Sequence, residues 1–140
     1  MLDFIPQQEM IWVGRLLFAA FLGSIMAYDR RQYGKGAGMR TYAMIATGAC
    51  LFTLVGIYGF DDDIRDPARI AAQIVTGIGF IGAGIIWKNG HDVIGITTSA
   101  GLLVAAAVGM ACATGLYFLA LVTALITIVI FNMRRLLHSA

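Results

Sequence analysis

The sequence predicts an all-α polytopic membrane protein with about five transmembrane helices. Of the 140 residues, 59% are hydrophobic and only 13% are charged. A water-soluble domain of this size covers its surface with polar side chains, and 10 basic and 8 acidic residues are too few for that. The charges are also spaced so that apolar stretches of membrane-spanning length remain between them. Most of the chain is therefore expected to lie in lipid.

The first three apolar stretches each match one membrane crossing. They cover residues 10–28, 41–60 and 70–87, and only Arg15 places a charge inside one of them. An α-helix rises about 1.5 Å per residue, so stretches of this length span the roughly 30 Å hydrocarbon core. We predict one transmembrane helix in each stretch.

The fourth apolar stretch is twice as long. Residues 94–133 carry no charge, and as one helix they would measure about 60 Å, or two membrane thicknesses. The stretch must fold back, and the segment from Gly109 to Gly115 is the natural turn because glycine is common where helices end. We predict helices over residues 97–113 and 117–133. Residues 1–140 are expected to form one transmembrane domain without a soluble C-terminal domain.

The positions of Lys and Arg predict the orientation. Five crossings place seven basic residues on one side of the membrane: Arg30, Arg31, Lys35, Arg40, Lys88, Arg134 and Arg135. The other side has only Arg65 and Arg69, which stand among four aspartates. Short cytoplasmic loops are enriched in Lys and Arg. We therefore predict that the N-terminus lies outside and the C-terminus in the cytoplasm of a bacterial inner membrane.

Small residues are frequent in the third and fourth helices. The spacing of three of them formally matches a dinucleotide-binding loop, but no strand precedes it and no acidic residue follows about 20 positions on. In a membrane helix, small residues allow neighbouring backbones to approach closely. The predicted packing residues are Gly77, Gly79, Gly82, Gly84 and Gly101. A homodimer or small homo-oligomer is expected to bury the faces that one bundle cannot. A locally unwound helix lining a cavity is the alternative.

A predicted outer cluster consists of Arg15, Asp66, Arg69 and Gln73. Asp66 precedes Pro67 and is expected to cap the third helix. Arg69 and Gln73 lie on the same face of that helix as Asp66. Arg15 either pairs with Asp66 inside the membrane or extends to the interface. The cluster is then either a cap with structural hydrogen bonds or a polar vestibule for an ion or a proton.

A predicted inner cluster lies at the other end of the bundle and consists of Asp29, Arg30, Lys35, Arg40, Thr41, Thr97 and Thr98. Asp29 can pair with Arg40 across a short glycine-rich loop. The hydroxyl groups stand where the second and fourth helices begin, and they are expected to satisfy unpaired N–H groups there. A helix start can also attract an anion, which is the alternative interpretation.

No catalytic, metal or cofactor site is expected from the sequence. Cys50 and Cys112 lie inside apolar runs and are interpreted as small buried hydrophobic residues. His91 and His138 have no evident partner, and the three aspartates at 61–63 are interpreted as a solvated loop rather than a site for Mg²⁺. No basic segment with interleaved aromatic residues suggests nucleic acid. An enzyme is therefore not expected.

Three segments resemble the hallmarks of the MgtC/SapB family. They are residues 29–41, with Asp29, Lys35 and the run Ala37–Thr41; residues 66–84, from Asp66 to Gly84; and residues 95–100, which read Gly-Ile-Thr-Thr-Ser-Ala. Some members carry the name magnesium-transport ATPase protein C. The resemblance implies a multi-pass inner-membrane protein linked to growth in low magnesium and, in pathogens, to virulence. For the best-known branch it also implies effects on ATP synthase and phosphate uptake.

Two functions remain open at this point. One is a regulatory membrane protein that acts through helix–helix contacts with another membrane complex, as its small size and small-residue faces suggest. The alternative is a small transporter or channel for Mg²⁺, protons or phosphate, as the polar clusters suggest. The bilayer is the first expected partner in both cases.

Overall fold

A computed structural model describes residues 6–28 and 36–138, with side chains described as far as Met133. In this part of the chain five helices and one β-hairpin follow each other: α1 (Gln7–Met26), α2 (Met39–Tyr58), α3 (Pro67–Ile85), β1 (Trp87–Asn89), β2 (Asp92–Ile94), α4 (Ile96–Ala113) and α5 (Tyr117–His138). The helices α1 to α4 are each long and apolar enough to cross a membrane, and α5 is apolar over Tyr117–Met133. The protein is an all-α polytopic membrane protein.

The β-hairpin is a feature that the sequence analysis does not predict. Its antiparallel strands pair Trp87 with Ile94 and Asn89 with Asp92. Gly90 has a φ of 65° and begins the two-residue loop, where a positive φ is required. Helix α3 ends at Ile85, two residues before the predicted end, because the backbone becomes extended there.

The bundle has two ends, which are named here by what they carry. At the α4–α5 end, α1 lies beside the end of α2, as the stacking of Trp12 on Tyr58 shows, and beside the turn from α4 to α5. At the hairpin end, the segment before α2 lies against the end of α3 and the start of α4, since Gly36 faces Ile85 and Thr98. The helices therefore alternate in direction through the bundle.

Helix α4 is the centre of the bundle and packs against all four other helices. It has no charged residue, and half of its length is buried. Glycines make the closest contacts: a Cβ on Gly109 would lie 2.9 Å from the carbonyl carbon of Ala46 in α2. A Cβ on Gly23 of α1 would likewise lie 2.6 Å from the carbonyl oxygen of Tyr42 in α2. These three helices approach one another at backbone distance, as small residues permit.

Helix α3 is peripheral. Only Ile74 and Gly82 are buried in it, and Gly82 faces Ser99 of α4. The other predicted packing glycines of this helix, Gly77, Gly79 and Gly84, have no atom of another residue within 4 Å of an added Cβ. Packing on both sides of α3 is therefore not found within one bundle, whereas Gly101 of α4 packs tightly against Tyr42 and Phe131.

Candidate functional site

Arg15 lies at the α4–α5 end and is held by groups from two other helices. Its Nε donates a hydrogen bond of 3.0 Å to the hydroxyl of Tyr117, and its Nη1 donates to the backbone carbonyl of Ala113. Helical side chains project towards the N-terminus of their own helix. The guanidinium consequently reaches the level where α4 ends and α5 begins, although Arg15 itself lies two turns inside α1.

The carbonyl of Ala113 is available because of the turn that ends α4. Gly115 adopts a φ of 83°, and the N–H of Leu116 donates to the carbonyl of Ala111 over 2.9 Å. This pattern is a Schellman motif, which satisfies some of the last carbonyls of a helix but not all of them. Arg15 donates to the remaining carbonyl of Ala113, so α1 supplies a side-chain cap to α4.

Aromatic residues surround Arg15 at the same level. Trp12 stacks on Tyr58 with ring centroids 4.9 Å apart, and Tyr117 packs edge to face against Phe18 at 5.9 Å. Trp and Tyr are enriched where a membrane meets water. The guanidinium therefore lies among aromatic residues of the kind found at a membrane interface, at the level where α4 ends and α5 begins. That its side chain extends to the interface stays a prediction.

The predicted outer cluster is divided in the structure. Asp66 forms its ion pair with Arg69, and neither ion pair of the described residues involves Arg15. The prediction that Arg15 pairs with Asp66 is therefore wrong, because a backbone carbonyl and a tyrosine hydroxyl on α4 and α5 take that place. Gln73 is exposed on α3 and does not join Arg15 either.

Asp66 caps α3, as predicted. Its carboxylate accepts a hydrogen bond of 3.1 Å from the backbone N–H of Arg69, and Pro67 occupies the first helical position. The side chains of Arg69 and Asp66 are 3.5 Å apart but remain 79% and 48% exposed. An ion pair with this exposure contributes little, about 0–1 kcal/mol.

The exposure of this pair leads to a testable expectation for Asp66. Asp66→Ala should lower the free energy of unfolding by about 1 kcal/mol because it removes the cap. Asp66→Asn keeps a capping oxygen and should change it by less than about 0.5 kcal/mol. Denaturant unfolding in detergent measures both, and Asp62→Ala in the preceding loop is the control. An equal loss in the two Asp66 variants would show that the charge matters and the cap does not.

The predicted inner cluster is described only in part. Asp29, Arg30 and Lys35 lie outside the described residues. Of the rest, Arg40 and Thr97 are exposed, Thr41 is half-buried and Thr98 is buried. The N-cap positions of α2 and α4 are Gly38 and Gly95, which have no side chain. The prediction that hydroxyl groups cap these two helices is therefore wrong for the N-cap position.

Tyr42 is the residue at the hairpin end that sequence reasoning misses. It is fully buried, and its hydroxyl donates to the carbonyl of Thr98 over 3.1 Å. Its ring meets Phe131 of α5 edge to face at 6.1 Å and lies over Gly101. Tyr42 thus joins α2, α4 and α5, and Gly101 was the signal in the sequence that a large side chain faces α4.

Other reactive groups are not assembled into a centre. Cys50 and Cys112 are free and buried, as predicted for small hydrophobic residues in the core. Within residues 6–28 and 36–133, no three His, Cys, Asp or Glu side chains lie close enough together to hold a metal ion. The best-defined polar arrangement of the described chain is the Arg15 site at the α4–α5 end.

The sequence has relatives over most of its length. It matches the MgtC family over residues 16–140. It is 41% identical to YhiD of Escherichia coli K12, named as a candidate magnesium transporter, over 84% of this chain and 58% of that protein. It is 40% identical to MgtC of Salmonella typhimurium LT2, over 92% of this chain and 53% of that protein.

MgtC of Brucella abortus is 44% identical over 70% of this chain and 40% of its own length. The chain thus spans about half the length of the curated relatives it matches. No solved structure is significantly similar to it. The family match covers α2 to α5 and the part of α1 that follows Arg15, and it includes the three segments that carry the resemblance. The chain belongs to the MgtC family.

Proposed function

We propose that this chain is a regulatory protein of magnesium homeostasis in the bacterial inner membrane, and that it acts through helix–helix contacts with other membrane proteins. The observation that carries the proposal is the open face of α3, where Gly77, Gly79 and Gly84 have no neighbour. Family membership and the magnesium-related name of the Escherichia coli relative support the link to magnesium. A role in virulence, as the resemblance implies, is part of the same proposal.

The open face of α3 is suited to a protein partner rather than to lipid alone. Helices in a membrane gain little from hydrophobic burial, because lipid is equally apolar, and associate instead through close packing and hydrogen bonds. Gly77 and Gly84 are seven residues apart on one side of α3, and this side is assigned to a second copy of the chain. Gly79 and Ala83 form another side, which is assigned to a different membrane protein.

Transport of an ion is the second candidate function, and the distribution of carboxylates makes it the weaker one. In the described residues, the only helical carboxylate is Glu9 in the first turn of α1, and all others are in loops, a cap or the hairpin. Mg²⁺ is held by oxygen ligands, most often carboxylates. The apolar length of the bundle offers no such ligand, so a path for Mg²⁺ would have to rely on backbone carbonyls and water.

Two measurements distinguish regulation from transport. Purified protein in liposomes should give no flux of Mg²⁺, protons or phosphate, whereas cells that lack the protein should grow poorly in low magnesium. Growth should return with the wild-type chain but not with Gly79→Leu. Gly48→Leu is the matched control, since Gly48 of α2 also has no neighbour within 4 Å of an added Cβ. Reproducible flux that is lost in Arg69→Ala would decide for transport.

Five crossings with the N-terminus outside give a separate expectation for topology. A reporter that is active only in the periplasm should be active when fused after Asp62. It should be silent when fused at Lys35 or at the C-terminus, because those positions follow basic segments on the cytoplasmic side. Activity at the C-terminus would exclude this arrangement.

A further inference from the structure

Among the residues that the structure describes, no carboxylate forms an ion pair with the guanidinium of Arg15. Both ion pairs of the described residues are formed by other arginines, Arg65 with Asp62 and Arg69 with Asp66. The end of α4 supplies the negative pole of a helix dipole, which is equivalent to about half a charge and falls off within one turn. Because Arg15 is half-buried, the remaining positive charge is only partly solvated and favours an anionic partner.

The guanidinium also has N–H groups to spare. It carries five N–H donors in a planar fork, and the described chain uses one on Nε for Tyr117 and one on Nη1 for Ala113. Nη2 faces Gly115, and a Cβ at that glycine would lie 4.0 Å from it. Because glycine has no side chain, this edge of the fork is uncovered, and Arg15 is only half-buried.

A second polar group stands beside the open edge. Tyr58, at the end of α2, is placed at the level of Arg15 by the stacking of its ring on Trp12, which lies three residues before Arg15 on the same face of α1. A tyrosine hydroxyl can donate to an anionic oxygen. The site therefore offers a fixed cation, free N–H donors and a hydroxyl at one level of the membrane.

We propose that Arg15 and Tyr58 bind a phosphate group at the α4–α5 end, and that the phosphodiester of a phospholipid headgroup occupies the site. The planar guanidinium fork matches two phosphate oxygens, and the phosphodiester supplies the missing negative charge. The interfacial aromatic residues Trp12, Tyr58 and Tyr117 set the site at headgroup depth, where lipid phosphodiesters are concentrated. Inorganic phosphate offers the same oxygen atoms to the site, but its concentration in solution is far below that of the lipid phosphodiesters at headgroup depth.

The test uses the full chain in mild detergent, with dihexanoyl-phosphatidylglycerol as one probe and inorganic phosphate as the other. Native mass spectrometry counts bound lipid, and the lipid-dependent shift of the unfolding midpoint gives the affinity. Arg15→Gln removes the charge but keeps an N–H donor at the position of Nε, which contacts Tyr117, and it should weaken lipid binding about tenfold, as expected for one lost charge-assisted contact. Tyr58→Phe keeps the stacking on Trp12 and should weaken binding by a smaller factor. Arg69→Gln is the matched control, because that arginine is exposed and paired with Asp66, and it should bind lipid as the wild type does.

Tyr58→Phe decides the matter if Arg15→Gln does not fold. Equal lipid binding by the wild type and by every folded variant would overturn the proposal. If millimolar inorganic phosphate displaces the lipid, and the variants lose binding of both lipid and phosphate, the site binds phosphate groups but its assignment to a lipid is overturned.

Discussion

Gly109→Ala is expected to prevent the chain from reaching its folded state. The added Cβ would lie 2.9 Å from the carbonyl carbon of Ala46 and 3.1 Å from its Cα, and these backbone atoms cannot turn away as a side chain can. Relief requires α2 and α4 to separate along their contact, and α4 is the helix on which all others pack. The free energy of unfolding should fall by more than about 3 kcal/mol, the upper range for overpacked cores. The expected observation is that no folded protein is recovered.

Gly48→Ala is the matched control for this variant, since both changes add one methyl group to a helical glycine. Nothing from a neighbouring helix lies within 4 Å of the new Cβ at Gly48, and alanine is the better helix former by about 0.5–1 kcal/mol. The control should be as stable as the wild type or slightly more stable in denaturant unfolding monitored by circular dichroism. A well-folded Gly109→Ala protein would mean that α2 and α4 are not in backbone contact.

The double variant Gly77→Leu, Gly84→Leu is expected to convert an oligomer into a monomer that keeps its fold. Both positions are open within one bundle, so leucine meets nothing inside the monomer. Across an interface of close helices, two leucines would hold the backbones apart and remove most of the packing that drives association. Native mass spectrometry in mild detergent measures the oligomeric state, and far-UV circular dichroism measures the fold.

Gly48→Leu again serves as the control, because Gly48 is equally open but lies on α2. It should leave the oligomer intact. A wild-type chain that is monomeric at every protein concentration tested would rule out the assignment of the Gly77 side of α3 to a second copy.

The membrane is the reason why most of the fold could be predicted from the sequence. Each crossing of the membrane requires an apolar stretch of about the same length, and a stretch of twice that length must turn. The turn predicted between residues 113 and 117 is where α4 ends and α5 begins. The small hairpin after α3 could not be predicted in this way, because it lies between membrane helices and depends on a local backbone angle at Gly90.

The candidate site was predictable only where its contacts are local. Asp66 caps its own helix three residues away, and the sequence Asp-Pro indicates this directly. The partners of Arg15 are a tyrosine 102 residues away and a backbone carbonyl 98 residues away. A carbonyl is present in every residue, so no residue type in the sequence distinguishes the one at Ala113. Charge alone suggested Asp66 as the partner of Arg15, whereas the packing of the helices brings Tyr117 and the carbonyl of Ala113 to it.

The central position of α4 has a consequence for biosynthesis. Because α4 leaves the ribosome after α1, α2 and α3, these three helices enter the membrane before the one that holds them together. The first two can pair at once, since Gly23 brings α1 against the backbone of α2. Helix α3 buries little except Ile74 and Gly82, and Gly82 faces Ser99 of α4. Helix α3 can meet α2 where Gly56 faces Ile70, but its packing is completed, and the bundle closes, only after α4 has been inserted.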